Sequence, residues 1–254
     1  MITALGTNVI QFFNELGQIM ILTGRCSKRV FTTPRIAKHT LDQMWRLGYE
    51  SLSVTCVTAS FVGMAFSIQV IREFSKFGAA KLIGGVVGLA IWRELGPLLT
   101  GVVIAGRVGA AISAELGTMK VTEQVEALEA MSQDPVGHLV APRVLATTLM
   151  VPLLVGIADI VGFLSGFVVS VASGKVNAFA YFDSADSMLK VMDISGGLIK
   201  GALFGFVIGI ISTHMGLKAE GGAKGVGEMT TRAVVVSLIV IFILNYFLSI
   251  VLFK

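Results

Sequence analysis

The sequence predicts an all-α integral membrane protein, and three observations support this. First, of its 254 residues 54% are hydrophobic and only 14% are charged, whereas soluble domains carry about 25% charged residues. Second, five apolar stretches alternate with polar connections, and each is at least as long as the roughly 20 residues that span a bilayer. Third, small residues recur at every fourth position in 158–174 and 197–209, a spacing typical of helices that pack closely in lipid. The length fits a single membrane domain, residues 1–254.

The composition also excludes several other classes of protein. The net charge of +4 is best explained by cytoplasmic Lys and Arg, because the basic residues are not interleaved with aromatics as in a nucleic-acid site. Cys26 and Cys56 have no metal-ligand spacing and imply no disulfide framework. The N-terminus shows neither a signal-peptide pattern nor a transit peptide, which favours a bacterial over a plastid protein. Because no polar stretch of useful size is present, we expect no soluble catalytic or nucleotide-binding domain in this chain.

Residues 1–50 are expected to form an elbow that lies at the membrane surface. Residues 9–22 carry apolar side chains at helical spacing, with Asn14, Glu15 and Gln18 between them, which favours a helix in the interface. The alternative is the start of a tilted membrane helix. Residues 25–46 form the densest basic segment of the chain and are therefore predicted to be cytoplasmic.

The transmembrane core, residues 51–254, contains the five predicted spans. They are 51–71, 82–112, 139–172, 194–217 and 233–253. A cytoplasmic N-terminus then places the connections 113–138 and 218–232 inside and those at 72–81 and 173–193 outside. The small-residue faces of the third and fourth spans fit either packing within one subunit or a homodimer interface.

The second span carries charge at depth, at Arg93 and Glu94. Charged side chains inside a bilayer are costly and normally face a cavity or a partner. Adjacent residues on a helix point about 100° apart, so these two are not expected to pair with each other. Pro97 removes the hydrogen bond to the carbonyl of Arg93 and predicts a kink there. Lys200 in the fourth span is a possible partner for Glu94, and the cluster could be a polar site in an apolar cavity or only an ion pair between helices.

A short amphipathic helix is predicted at 119–131, in the segment 119–134 that follows the second span. Thr122 is expected to cap its start, with Glu123 in the first turn, and Pro135 to end it after Asp134. About three turns are marginal alone in water, so the helix needs a docking partner. Its acidic face favours a protein groove over an anionic lipid surface. No catalytic constellation or Walker A motif is present.

The stretch LGPLLTGVVIAGRVGAAISAELGTMKVTEQVEALEAMSQDP, together with the pieces RELGP and APR, closely resembles the signature of the MlaE (YrbE-like) permeases. These are membrane subunits of ABC transporters that work with MCE-domain proteins. The resemblance implies a homodimer in the bacterial inner membrane that binds cytoplasmic ABC ATPase subunits, with ATP bound by that partner and no cofactor of its own. It also implies MCE-domain lipid-binding subunits outside and the transport of phospholipids, as in the maintenance of outer-membrane lipid asymmetry.

The same resemblance assigns site residues. Arg93, Glu94 and Lys200 fall where the family has charged residues at its lipid pocket. The segment 119–134 is similar to the coupling helix that docks in the ATPase, and the residues expected to serve this contact are Lys120, Thr122, Glu123, Glu126, Leu128 and Asp134. The sequence departs from the family pattern at Glu228-Met229 and at Asn245.

Two other functions remain open on the sequence. The chain could be a non-transporting membrane scaffold that recruits a peripheral complex. A secondary transporter is the weaker third possibility, since only Glu94 and Asp159 would serve as intramembrane acids for ion coupling.

Overall fold

The computed structural model describes residues 2–32, 36–174 and 176–253. This part of the chain contains the following α-helices: α1 (Ile2–Thr32), α2 (Ile36–Met44), α3 (Glu50–Lys76), α4 (Ile83–Ala90), α5 (Gly96–Ile104), α6 (Ala110–Val121), α7 (Gln124–Ala130), α8 (Ala141–Ala172), α9 (Ala178–Met188), α10 (Val191–Leu217) and α11 (Gly222–Leu252). Short π-helical turns join several of them end to end into longer helices.

Among the described residues, five helical segments are long and apolar enough to cross a membrane, as predicted. They are Ile36–Lys76, Ala80–Val121, Val136–Ala172, Val191–Leu217 and Gly222–Leu252. Each is longer than its predicted apolar stretch, because helical backbone bonding continues past the point where side chains become polar. Most of the polar connection 218–232, for example, is the first part of α11, which starts after Gly221 in the left-handed region (φ 78°).

Helix α8 is the centre of the packing, with α3 on one side and α10 on the other. A Cβ added at Gly63 of α3 would lie 2.2 Å from the carbonyl oxygen of Gly162, and one at Gly205 of α10 would lie 2.4 Å from that of Thr147. Only glycine permits such close backbone contact. The small-residue faces of the third and fourth spans therefore pack within one subunit. At these positions the structure favours this alternative over a homodimer interface.

Three segments that were predicted to lie on the cytoplasmic side meet at one end of the helix bundle. Arg29 of α1 lies 2.7 Å from Asp134, which precedes α8. Glu15 of α1 accepts a hydrogen bond from Arg232 of α11 at 2.9 Å. Helix α1 thus forms ion pairs near the ends of two spans. It is not itself among the five candidate spans. Its depth relative to the bilayer stays a prediction.

The prediction of one continuous helix at 119–131 is wrong in its start and in its cap. Helix α6 continues from the span to Val121, and the short α7 begins only at Gln124. Between them Glu123 adopts a left-handed conformation (φ 61°). Thr122 is the residue that follows α6, and its hydroxyl donates to the carbonyl of Thr118 at 2.8 Å and does not cap α7. Apolar periodicity could not reveal this corner, because it continues in phase across the break.

The predicted end at Met131 agrees with the structure to within one residue, but Pro135 does not end the helix. Helix α7 stops at Ala130, well before Pro135. Pro135 instead precedes the π-helical turn Val136–Val140 that leads into α8. Proline is well tolerated at a helix start, where its missing N–H has no helical acceptor.

Candidate functional site

The charged pair of the second span lies on a π-helical turn, Ile91–Leu95, directly before Pro97. Proline has no N–H, so the carbonyl four residues earlier, on Arg93, loses its helical donor. The ammonium of Lys200 replaces that donor, with its Nζ 2.8 Å from the Arg93 oxygen. At the position where the sequence predicted a kink, the structure therefore has a π turn. The Arg93 carbonyl of this turn accepts its hydrogen bond from Lys200 on α10.

Lys200 is fully buried and binds three acceptors. Besides the Arg93 carbonyl, its Nζ lies 2.9 Å from Oε1 of Glu94 and 2.8 Å from Oγ of Ser249. An ammonium has three protons to donate, so its hydrogen-bonding capacity is filled. The partnership of Lys200 with Glu94, which the sequence analysis gave as possible, is present.

Glu94 also forms hydrogen bonds with two residues of helix α11. Its Oε1 lies 2.7 Å from the hydroxyl of Ser249, and its Oε2 accepts a hydrogen bond of 2.9 Å from the amide of Asn245. Neither α11 residue was predicted as part of the site. The available signal was two polar residues four positions apart in an otherwise apolar span, which places them on one helical face.

Arg93 turns away from Glu94, as expected for neighbours on a helix. Its Nε lies 2.8 Å from Oδ1 of the buried Asp193 at the start of α10. The ring of Phe253 lies 5.0 Å from the Arg93 guanidinium and 4.9 Å from Lys200 Nζ, within the range of cation–π attraction. The aromatic ring thus covers both cations.

The four charges of the cluster form two neutral pairs with one buried member each. The side chains of Lys200 and Asp193 are 0% and 3% exposed, whereas those of Glu94 and Arg93 are 39% and 34% exposed. In each pair, the buried residue, Lys200 or Asp193, is fixed by the packing around it. The surface of the cluster therefore offers one anion and one cation side by side.

The residues predicted for ATPase coupling divide into two groups. Of these, Glu123 and Glu126 are exposed and form an acidic face with the neighbouring Glu129, whereas Leu128 is half-buried against the core beside the buried Val125. Lys120 forms an ion pair with Glu126 that joins the end of α6 to α7, and this hydrogen bond holds the pKa of the Glu126 carboxyl below its ordinary value.

Asp134 lies apart from this acidic face. Its carboxylate binds Arg29 and accepts a hydrogen bond from the backbone N–H of Gly137 at 3.0 Å. It thus connects α1 to the start of α8. Thr122, by contrast, is exposed beside α7 but bonds back into α6.

A second charged cluster near the same end was not assigned a role from the sequence. Buried Arg143 of α8 donates to Oε1 of Glu115 of α6 at 3.0 Å and to the carbonyl of Leu139 at 2.8 Å. Arg46 lies 3.6 Å from the same Glu115 oxygen. The pieces SAELG and APR were noted as motifs, and these contacts show that they tie together helices distant in sequence. Within the described ranges, no three His, Cys, Asp or Glu side chains are placed to hold a metal ion.

Comparison with known proteins gives consistent matches over nearly the whole chain. A family model described as permease MlaE matches residues 40–251. A probable ABC transporter permease protein of Synechocystis sp. is 46% identical over 243 residues, which are 96% of this chain and 92% of that protein. One of Rickettsia typhi is 41% identical over 249 residues, 98% of this chain and 96% of that protein. The chloroplastic protein TRIGALACTOSYLDIACYLGLYCEROL 1 of Arabidopsis thaliana is 43% identical over 231 residues, 91% of this chain and 66% of that protein.

Proposed function

The chain belongs to the MlaE permease family, and we propose that it moves phospholipids or related lipids between its own membrane and MCE-domain partner subunits. As an ABC transporter permease it is a multi-pass membrane subunit without catalytic activity, and ATPase partner subunits hydrolyse the ATP. A homodimer in a bacterial inner membrane, built from one permease domain of residues 1–254 with an elbow at 1–50, is part of the same proposal.

The observation that carries the proposal is the charged cluster around Glu94, set among apolar spans. Its two partly exposed groups, Arg93 and Glu94, complement the phosphate and the ammonium of a zwitterionic phospholipid head group. The surrounding apolar helices suit acyl chains. The Arabidopsis relative is named after a glycolipid, which supports lipid as the class of cargo.

The acidic face of α7 is the proposed contact for the ATPase. From Glu94 to Val121 the second span is one helical rod of about 40 Å, at 1.5 Å per residue. The ion pair of Lys120 with Glu126 connects that rod to α7. A push on α7 would therefore move the segment that carries Glu94, which is the mechanical link that an ATP-driven transporter needs.

The alternative function is a membrane scaffold that does not transport. One observation favours it: each charge of the cluster already has a partner within the chain, so the cluster could serve folding alone. Membership in an ABC permease family sets aside the secondary transporter.

Lipid transfer between liposomes separates the two remaining functions. The permease is reconstituted with its ATPase and MCE-domain partners in donor liposomes that contain labelled phospholipid. We expect transfer that requires ATP and stops when the ATPase carries a substitution that abolishes hydrolysis. Equal transfer with the active and the inactive ATPase would leave the scaffold as the better explanation.

A further inference from the structure

Asp159 in the middle of α8 is an acidic residue that the proposed transport cycle does not use. Its side chain is 0% exposed. Neither of its carboxyl oxygens has a hydrogen-bond partner among the described residues. Buried polar groups are nearly always hydrogen-bonded, so a carboxyl group with two unsatisfied oxygens inside a membrane domain requires an explanation.

The position of Asp159 depends on Gly96. A Cβ at Gly96 would lie 1.5 Å from Oδ1 of Asp159, so the carboxyl group occupies the space that any other residue would fill. Gly96 directly follows the π turn on which Glu94 lies, and it directly precedes Pro97. Asp159 therefore contacts the second span at one of its two π-helical turns, a kind of irregularity that often marks a hinge.

The elements packed around this contact bring no available charge to it within the part of the chain that the structure describes. Helix α5 has no ionisable side chain. On the π turn, Arg93 is bound to Asp193 and Glu94 to Lys200 of α10. The other ionisable groups of the neighbouring helices are Cys56, Glu50, Arg72, Glu73 and Lys76 on α3 and His214 on α10. None of them is hydrogen-bonded to Asp159.

The adjoining cavity does not solvate the carboxyl group either. It is formed by α3, the second span and α8, and Asp159 is not among the residues that line it. Apolar side chains such as Val62, Ile91 and Leu99 line most of it. A metal cation would need several oxygen ligands, and the surroundings of Asp159 do not supply them. A proton needs only the carboxylate itself.

We propose that Asp159 is a proton-binding site of the membrane domain, and that proton binding there is linked to the packing of α8 against Gly96. An ionised carboxylate without partner or water is strongly unfavourable, and such a group takes up a proton instead. The packed conformation described here thus contains the neutral acid. A movement of the second span that admits water would favour loss of the proton, so low pH stabilises the packed conformation and high pH the opened one.

The first test measures the proton directly. The full chain is reconstituted in phospholipid nanodiscs at pH 7.5, and its infrared spectrum is recorded for the carbonyl stretch of a protonated carboxylic acid. We expect this band in the wild type, a shift of the band on ¹³C-aspartate labelling, and its loss in Asp159→Asn. The control Asp183→Asn, an exposed residue of α9, should keep the band. The absence of a labelled band from the wild type would overturn the proposal even if the variant failed to fold.

The second test concerns the linkage and rests on the proposed transport function. ATP-driven lipid transfer is measured from pH 6 to pH 8.5 with wild type and Asp159→Asn. We expect the wild-type rate relative to the variant to change at least threefold across this range, because only the wild type can exchange the proton. A constant ratio, with the infrared band present, would refute the linkage. If the wild type transfers no lipid at any pH, the transport function fails while the infrared result still decides the proton site.

Discussion

Replacing Lys200 by methionine is expected to destabilise the protein by about 2–4 kcal/mol. The change keeps the apolar stem but removes hydrogen bonds to the Arg93 carbonyl, to Glu94 and to Ser249. Loss of one partner of a buried ion pair typically costs about 3–5 kcal/mol. The expected cost is lower here, because Glu94 is 39% exposed and keeps its bond from Asn245.

A second change identifies the source of that cost. In the double variant Lys200→Met with Glu94→Gln, the uncompensated negative charge is gone, so part of the lost stability should return. The free energy of unfolding is measured by denaturant titration in mixed micelles for wild type, both single variants and the double variant. The coupling energy of this cycle should exceed about 1 kcal/mol. Lys224→Met, at a side chain that is 88% exposed, serves as the control and should change stability by less than about 0.5 kcal/mol.

The same four proteins also separate a head-group site from an ion pair that only supports folding. If the cluster binds cargo, the double variant regains stability but not lipid transfer. If it serves folding alone, stability and transfer return together. Additive effects of the two single changes would refute the interpretation of Lys200 and Glu94 as an interacting pair.

Three further predictions follow from other parts of the structure. Glu123→Lys with Glu126→Lys should weaken co-purification of the ATPase at least tenfold without loss of membrane insertion, because both residues lie on the exposed acidic face of α7. Gly205→Ala should cost about 1–3 kcal/mol of stability by overpacking against the carbonyl of Thr147. Burial raises the pKa of the Cys26 thiol to about 11, so at pH 8 roughly one molecule in a thousand carries the reactive thiolate. Its maleimide labelling should be slow in the native protein and accelerate as the pH rises.

Matched controls accompany these predictions. Glu73→Lys reverses an exposed charge at the other end of the bundle and should leave ATPase binding unchanged. Gly17→Ala adds a Cβ that meets no atom within 4 Å, so it should not destabilise. Unfolding in detergent should bring Cys26 labelling to the ordinary rate of a free thiol. Retained ATPase binding after both charge reversals on α7 would refute the coupling assignment.

The five spans and their order were predictable because hydrophobic length is a local property of the chain. The bounds of the coupling segment were not. The helix is interrupted at Thr122 and Glu123, but the spacing of the apolar residues continues across the break. The left-handed residue there is Glu123 and not a glycine, so the sequence gives no sign of it. Local composition identified the acidic face of α7 correctly but could not show where α6 ends.

The candidate site was predictable only in part. Charge at depth singled out Arg93, Glu94 and Lys200, because a bilayer makes such residues conspicuous. Asn245 and Ser249 carry no charge, and Asn245 was noted only as a departure from the family pattern, yet both contact Glu94. The resemblance to the MlaE permeases, confirmed over residues 40–251, supplied the class of transporter, and the roles of these residues in lipid binding stay predictions.

The sequence by itself thus determined the number of spans, the charges within them and the family. Tertiary structure alone decided the pairing. Arg93 binds Asp193, one hundred positions away, and Glu94 binds Asn245, 151 positions away. Contacts over such separations depend on which helix faces approach each other, and here that approach is set by glycines that let backbones touch. Whether a buried ionisable group has a partner is therefore a property of the packing, as Asp159 demonstrates by having none among the described residues.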